Sequence, residues 1–173
     1  TPLSNYYEMP RLGNGLGETG KIRPDKIKLL LDILKRYKSE ADKYNCSEII
    51  ACATNAMRIA SNSFDISELV LRETGIHIKI ISGKEEARLS FLGGASAINF
   101  EGKVCVVDVG GGSTEIIYGD KGGIIYSKSF ALGTVSLTER FFSSLPPAEN
   151  EILSLRNFVN ETFAELSEAI PAG

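Results

Sequence analysis

The sequence predicts an α/β protein built as two units. Hydrophobic patterning before residue 100 reads as alternating strands and helices, βαβα. After residue 100 it reads βββαα, which is a different supersecondary plan. The change coincides with "VCVVDVGGGSTEIIYG" (104–119), a strand that carries Asp108 near its end and breaks into Gly110, Gly111 and Gly112.

The elements follow in order. Pro24 opens a long helix, because its fixed φ and missing N–H suit a first helical position. Ile27, Leu30, Leu31, Leu34, Tyr37, Ala41 and Tyr44 recur at helical spacing and give it one core face. "SEIIACAT" (47–54) reads as a buried strand and "NAMRIASNS" as a short helix. "FDISELVLRETG" is a second helix, closed by Gly75. "IHIKIIS" (76–82) is a strand, and Ser82 starts a helix to about Ile98. Three strands follow, "KVCVVDV", "STEIIYG" and "GIIYSKSFAL", joined by glycine-bearing turns as a meander. "TVSLTERFF" and "PAENEILSLRNFVNETFAELSEAI" close the chain as helices. The boundary falls near Asn99–Gly102, giving units 1–101 and 102–173.

Composition narrows the function. The chain has 173 residues, 43% hydrophobic and 24% charged, which is a soluble globular balance. A net charge of −3 argues against a nucleic-acid surface, which needs basic excess. It leaves room for a small anion, which a few amides and one or two cations can hold. No apolar run approaches the ~20 residues of a membrane span. Cys46, Cys52 and Cys105 make no Cys-x-x-Cys pair; Cys52 and Cys105 sit in apolar runs and read as buried free thiols, as in a reducing cytoplasm. The chain opens on "TPLSNYYEMPRLG" with no initiator Met, as a fragment would.

Two glycine motifs near the start are decoys. "GLGETGK" (15–21) lacks the Ser or Thr that a P-loop places after its Lys; Ile22 stands there. "GLGETG" matches G-x-G-x-x-G, but neither match follows a credible strand, so an ordinary turn is expected.

Three later stretches carry chemistry. Successive glycines let the backbone adopt φ > 0 and approach a ligand, so Gly110 to Gly112 can aim several N–H groups at a phosphate. Ser113 and Thr114 add hydroxyls. Asp108 beside a phosphate calls for a hard cation between them, Mg²⁺ or similar, with Glu115 as a second ligand, direct or through water. The alternative is a tight hairpin whose Asp caps the turn. In "ISGKEEARLSFLGG" (81–94), Ser82 and Glu85 fit a capping box, which assigns Glu85 to the Ser82 backbone. Glu86 points about 100° further round, along a strip of small residues, Ser90, Gly93 and Ala97. It is either a carboxylate facing a cleft or a surface charge complementing the helix dipole. In "CATNAMR" (52–58), a helix start and Arg58 either bind an oxyanion or form a cap and a solvated arginine. His77 is the sole histidine, on the polar side of its strand with Lys79, and reads as solvated or edge-facing rather than catalytic.

Together and in this order, "CATNAMRIASNS", "ISGKEEARLSFLGG" and "VVDVGGGSTEI" resemble the exopolyphosphatase / guanosine pentaphosphate phosphatase family, of the actin-like ATPase superfamily. "RLGNGLGETGKI" and "KSFALGTVSLTERFF" agree. The resemblance implies an α/β fold of actin-like, ribonuclease-H-like units around a cleft, present here as parts of two domains. It implies that Gly110, Gly111, Gly112, Ser113 and Thr114 form a phosphate loop and that Arg58 contacts phosphate. Asp108 would hold Mg²⁺ with Glu115 in support, and Glu86 would activate water. The implied reaction is metal-dependent hydrolysis of a terminal phosphoanhydride in inorganic polyphosphate or guanosine pentaphosphate. The implied partners are polyphosphate or guanosine pentaphosphate/tetraphosphate, with no DNA, RNA or membrane; the implied location is cytoplasmic, and a homodimer stays open. The family's first phosphate loop has no counterpart in these residues. A non-catalytic alarmone or nucleotide sensor, or a kinase of the same superfamily, is the competing function.

Overall fold

The computed structural model describes residues 3–164 together with Leu166 and Ile170. The chain packs as two compact units that divide between Ile80 and Ile81.

In the first unit, α1 (Leu16–Thr19) is a single turn between Gly15 and Gly20. Helix α2 (Pro24–Lys43) starts at the proline, as its sequence requires. Strand β1 (Ala51–Ala53) leads through α3 (Asn55–Ile59) and α4 (Ser63–Thr74) to β2 (Ile78–Ile80). β1 and β2 pair in parallel, Ala51 opposite Ile78 and Ala53 opposite Ile80. A parallel pair needs a crossover, and α3–α4 supply it. Gly75 ends α4 in the left-handed conformation. Leu16, Ile22, Met57, Ile66, Val70 and Ile76 form the core, with Ile27, Leu30, Leu31 and Leu34 of α2 packed against it. The Asn62 side chain fixes the segment entering α2: it accepts from Ile22 N at 3.0 Å and donates to Ile22 O at 2.9 Å.

In the second unit, α5 (Gly83–Ser96) precedes the meander of β3 (Lys103–Val109), β4 (Thr114–Asp120) and β5 (Gly123–Phe130). β4 is central and antiparallel to both neighbours. Two helices follow, α6 (Thr134–Phe141) and α7 (Glu149–Phe163). The expected continuation of α7 to Ile170 lies partly outside the described residues.

Strand alternation builds three layers. Ile117 points to α5 and joins Ala87, Phe91, Val104 and Val106. Its neighbour Ile116 points the other way and joins Phe130, Leu132, Leu137, Phe158 and Phe163. Ile117 is fully buried, a contribution of about 1.5–3 kcal/mol for a side chain of its size. Gly119 lies under Phe91: a Cβ there would stand 2.8 Å from Phe91 Cζ, so glycine lets helix and sheet meet.

Helix α5 packs on the strands that follow it. One expectation changes. Cys52 and Cys105 are exposed rather than buried. Both runs are apolar throughout, but alternation in each strand sends the cysteine away from the packed side. Partial burial still pushes the Cys105 thiol pKa up.

Candidate active site

The turn between β3 and β4 holds the three glycines. Gly110 N donates to Ser113 O at 2.9 Å and closes it. The positive-φ glycines of the described chain are Gly15, Gly20, Gly75, Gly102 and Gly123, so the turn is not built on left-handed backbone as its composition suggested. Its glycines serve close approach instead. Gly110 O accepts from Thr134 N at 3.0 Å, and Gly111 O accepts from Val135 N at 2.8 Å and Ser136 N at 3.1 Å. The start of α6 thus uses its otherwise unpaired amides on the carbonyls of the turn.

Asp108 and Glu115 flank the turn and are direct partners in the β3–β4 register. Both side chains face α5, as do Val106 and Ile117. Asp108 is exposed and accepts from Ser90 Oγ at 2.6 Å. Glu115 is 2% exposed and accepts from Ser129 Oγ at 2.6 Å. Like charges directly opposite across a strand pair repel. Each carboxylate holds a hydroxyl donor of its own.

The donor set fits a hard cation in chemical type: two carboxylates side by side, oxygen only. Among the described residues, no group of three or more His, Cys, Asp or Glu could hold an ion. Mg²⁺ suits such a two-carboxylate set, because it keeps several waters and takes phosphate oxygens as further ligands.

Helix α5 carries Glu86. The Ser90–Asp108 bond sets the helix along the sheet, with Gly83 near Ser129 and Gly94 against Val106. The helix start therefore lies at the turn end of the sheet. Glu86, one helical turn before Ser90 on the same strip, is half-buried there. Glu85 behaves differently. Ser82 Oγ accepts from Glu85 N at 3.2 Å, the first half of a capping box. The Glu85 carboxylate was expected on the Ser82 amide; it is gripped by Arg88 in a fork of 2.9 and 3.0 Å.

The remaining predicted residues divide. Ser113 is buried at the turn. Thr114 is buried too, and its hydroxyl donates to Leu132 O at 2.5 Å, so that proton is committed to the protein. Arg58 belongs to the first unit, half-buried in α3, with its N–H bonded to Thr54 O at 2.9 Å. Sequence reading missed Ser129 and Gly133 altogether. Ser129 was signalled by "YSKSF", whose alternation puts a hydroxyl beside Glu115. Gly133 was signalled by a glycine immediately before a helix start.

Solved structures place this arrangement in a class. An exopolyphosphatase from Cytophaga hutchinsonii superposes with a TM-score of 0.84 and 32% identity, over 90% of this chain and 52% of that one. The Aquifex aeolicus Ppx/GppA family member gives 0.74 and 35%, over 92% and 52%. The fold is thus an actin-like α/β fold. The sequence pattern of the Ppx/GppA phosphatase family matches residues 1–173, and the chain belongs to that family. Exopolyphosphatase 1 of Mycobacterium tuberculosis is 31% identical over 98% of this chain and 50% of its own length. The chain spans about half the length of the exopolyphosphatase relatives it matches. Among the described residues, no helix is long and apolar enough to cross a membrane.

Proposed function

We propose that the protein carrying these residues hydrolyses terminal phosphoanhydride bonds of inorganic polyphosphate, guanosine pentaphosphate, or both. The observation that carries this is the pairing of Asp108 with Glu115 across the hairpin, directly beside the glycine turn. Opposed carboxylates next to a glycine turn make sense when a cation is held between them and the substrate. Kinship with named exopolyphosphatases supports polyphosphate.

In this reading the terminal phosphate accepts hydrogen bonds from Gly111 N–H, Gly112 N–H and the Ser113 hydroxyl. Thr114 anchors the strand through Leu132 rather than donating to substrate. Glu86 takes the proton of a water as its oxygen attacks phosphorus, and the bridging oxygen departs with the bond's electron pair. Asp108, with Glu115 behind it, would hold Mg²⁺. That ion would neutralise charge on the phosphate oxygens. Phosphoryl transfer draws chiefly on such positioning and charge stabilisation, and one preorganised donor is worth about 3 kcal/mol. Arg58 is assigned to phosphate on the family resemblance alone. For the full protein we propose the two-domain actin-like arrangement, with 1–101 as part of one domain and 102–173 as the start of the next, in the cytoplasm.

The test is release of inorganic phosphate by the full-length protein from polyphosphate and from guanosine pentaphosphate, with magnesium and with chelator. Release that chelator abolishes supports the reading. Tight binding of either compound without release would replace it with a sensor.

A further inference from the structure

We infer that the start of α6 is an aiming device for the glycine turn, and that Gly133 is its positioning residue. The inference rests on the phosphate-loop reading above and adds the part that makes the loop point.

The geometry follows from the planar trans peptide, whose C=O and N–H point in opposite directions. Gly110 O is held by Thr134 N, so the N–H of Gly111, in the same peptide, points away from α6. Gly111 O is held by Val135 N and Ser136 N, so the N–H of Gly112 also points away from α6. Two consecutive amides are therefore turned to one side by the same three donors. The helix start contributes no anion site of its own, because those donors are occupied by the protein.

This grip needs the two backbones to touch. A Cβ on Gly133 would fall within 3.0 Å of Gly112 N and of Gly111 C and O, and backbone atoms cannot swing aside as a side chain can. Gly133 is itself extended, at φ −124 and ψ 157, a conformation open to any residue. Glycine is demanded there by contact and not by dihedral angle. Ser136 locks the corner: its Oγ accepts from Gly133 N at 3.2 Å.

Two variants of the full-length protein separate the outcomes. Gly133→Ala pushes the turn off α6. Thr134→Pro removes both Thr134 donors to Gly110 O, the N–H at 3.0 Å and Oγ1 at 3.4 Å, at a first helical position, where proline is favoured, after a residue already extended as proline requires. Each is compared with the parent by ¹⁵N amide shifts of Gly111 and Gly112 on titration with inorganic phosphate, and by kcat and KM. The expected parent result is that both amides move on titration. Gly133→Ala should lose this response and about 10²-fold in kcat, the scale of one misplaced donor, with a smaller change in KM. Thr134→Pro should weaken the response about tenfold and keep the melting temperature. If Gly133→Ala fails to fold, Thr134→Pro decides. Parent-like phosphate shifts and kcat in Thr134→Pro, or in folded Gly133→Ala, would overturn the aiming role. Unmoved amides in the parent itself would overturn the phosphate-loop reading beneath it.

Discussion

At Gly15 and Gly20 the backbone is left-handed, φ 72 and 65, and the two glycines end a single helical turn. At Gly110 and Gly111 it is not left-handed, and the glycines clear room for a helix start to grip their carbonyls. Both stretches look alike as text, "GLGETG" and "VGGGST". The first closes on itself: the one Thr19 hydroxyl proton is shared between Gly15 O at 3.0 Å and Lys21 O at 2.9 Å, and Gly20 O accepts from Ser61 N and Oγ at 2.9 Å each. The second lies between two carboxylates: its Gly110 N–H closes the turn on Ser113 O, and the carbonyls of Gly110 and Gly111 are tied to α6. Glycine content therefore marks a turn, while the partner of each carbonyl decides whether the amides are free to face a ligand.

Variants can break this comparison. Near the second turn, Glu86→Gln should cut kcat by about 10²-fold or more, as loss of a general base does, with melting temperature unchanged. Full turnover would place the base elsewhere. Asp108→Asn keeps the shape and removes the charge. Activity should fall about tenfold or more at low magnesium and recover in part at high magnesium. An unaltered magnesium dependence would make Asp108 a mere partner of Ser90. At the first turn the effect should be one of stability alone. Gly20→Ala meets no neighbour within 4 Å, so it costs only its left-handed backbone, about 1–2 kcal/mol, with turnover per folded molecule unchanged. A loss of kcat there would revive the phosphate-binding reading of "GLGETGK".

The smallest effect is a control outside both turns. Glu151 accepts backbone N–H bonds from Ser143 at 2.9 Å and Ala148 at 2.8 Å. These bonds, Ser143's first, lower its carboxyl pKa. Its stabilisation is thus complete above the ordinary carboxylate value and lost as pH falls through the folded value. Glu151→Gln should flatten the acid limb of the melting curve below about pH 5 and leave turnover alone. An unchanged limb would mean the carboxylate is equally bonded in the unfolded chain.

What was legible in the sequence was local. Pro24, Gly75 and Ser82 fixed helix ends, because caps act within one turn. The meander followed from three apolar runs with short glycine turns, and Asp108 and Glu115 fell opposite each other by simple counting. What stayed hidden required a distant partner. Cys105 reads as core until alternation and the packed side are both known. Gly133 is one glycine among many until the backbone of Gly111 and Gly112 is placed against it. The Arg88 fork on Glu85 competed with a capping box that the sequence spelled out equally well.

The connectivity of the two sheets also sets an order of events in time. β3, β4 and β5 pair through their own turns, so each ladder can close like a zipper from a nearby end. β1 and β2 meet only after α3 and α4 have been traversed and folded back between them. Loop closure before any reward slows such pairing. We predict that amides of 103–130 gain hydrogen-exchange protection before those of 51–53 and 78–80 during refolding. Simultaneous protection would mean that the two sheets condense in a single nucleus.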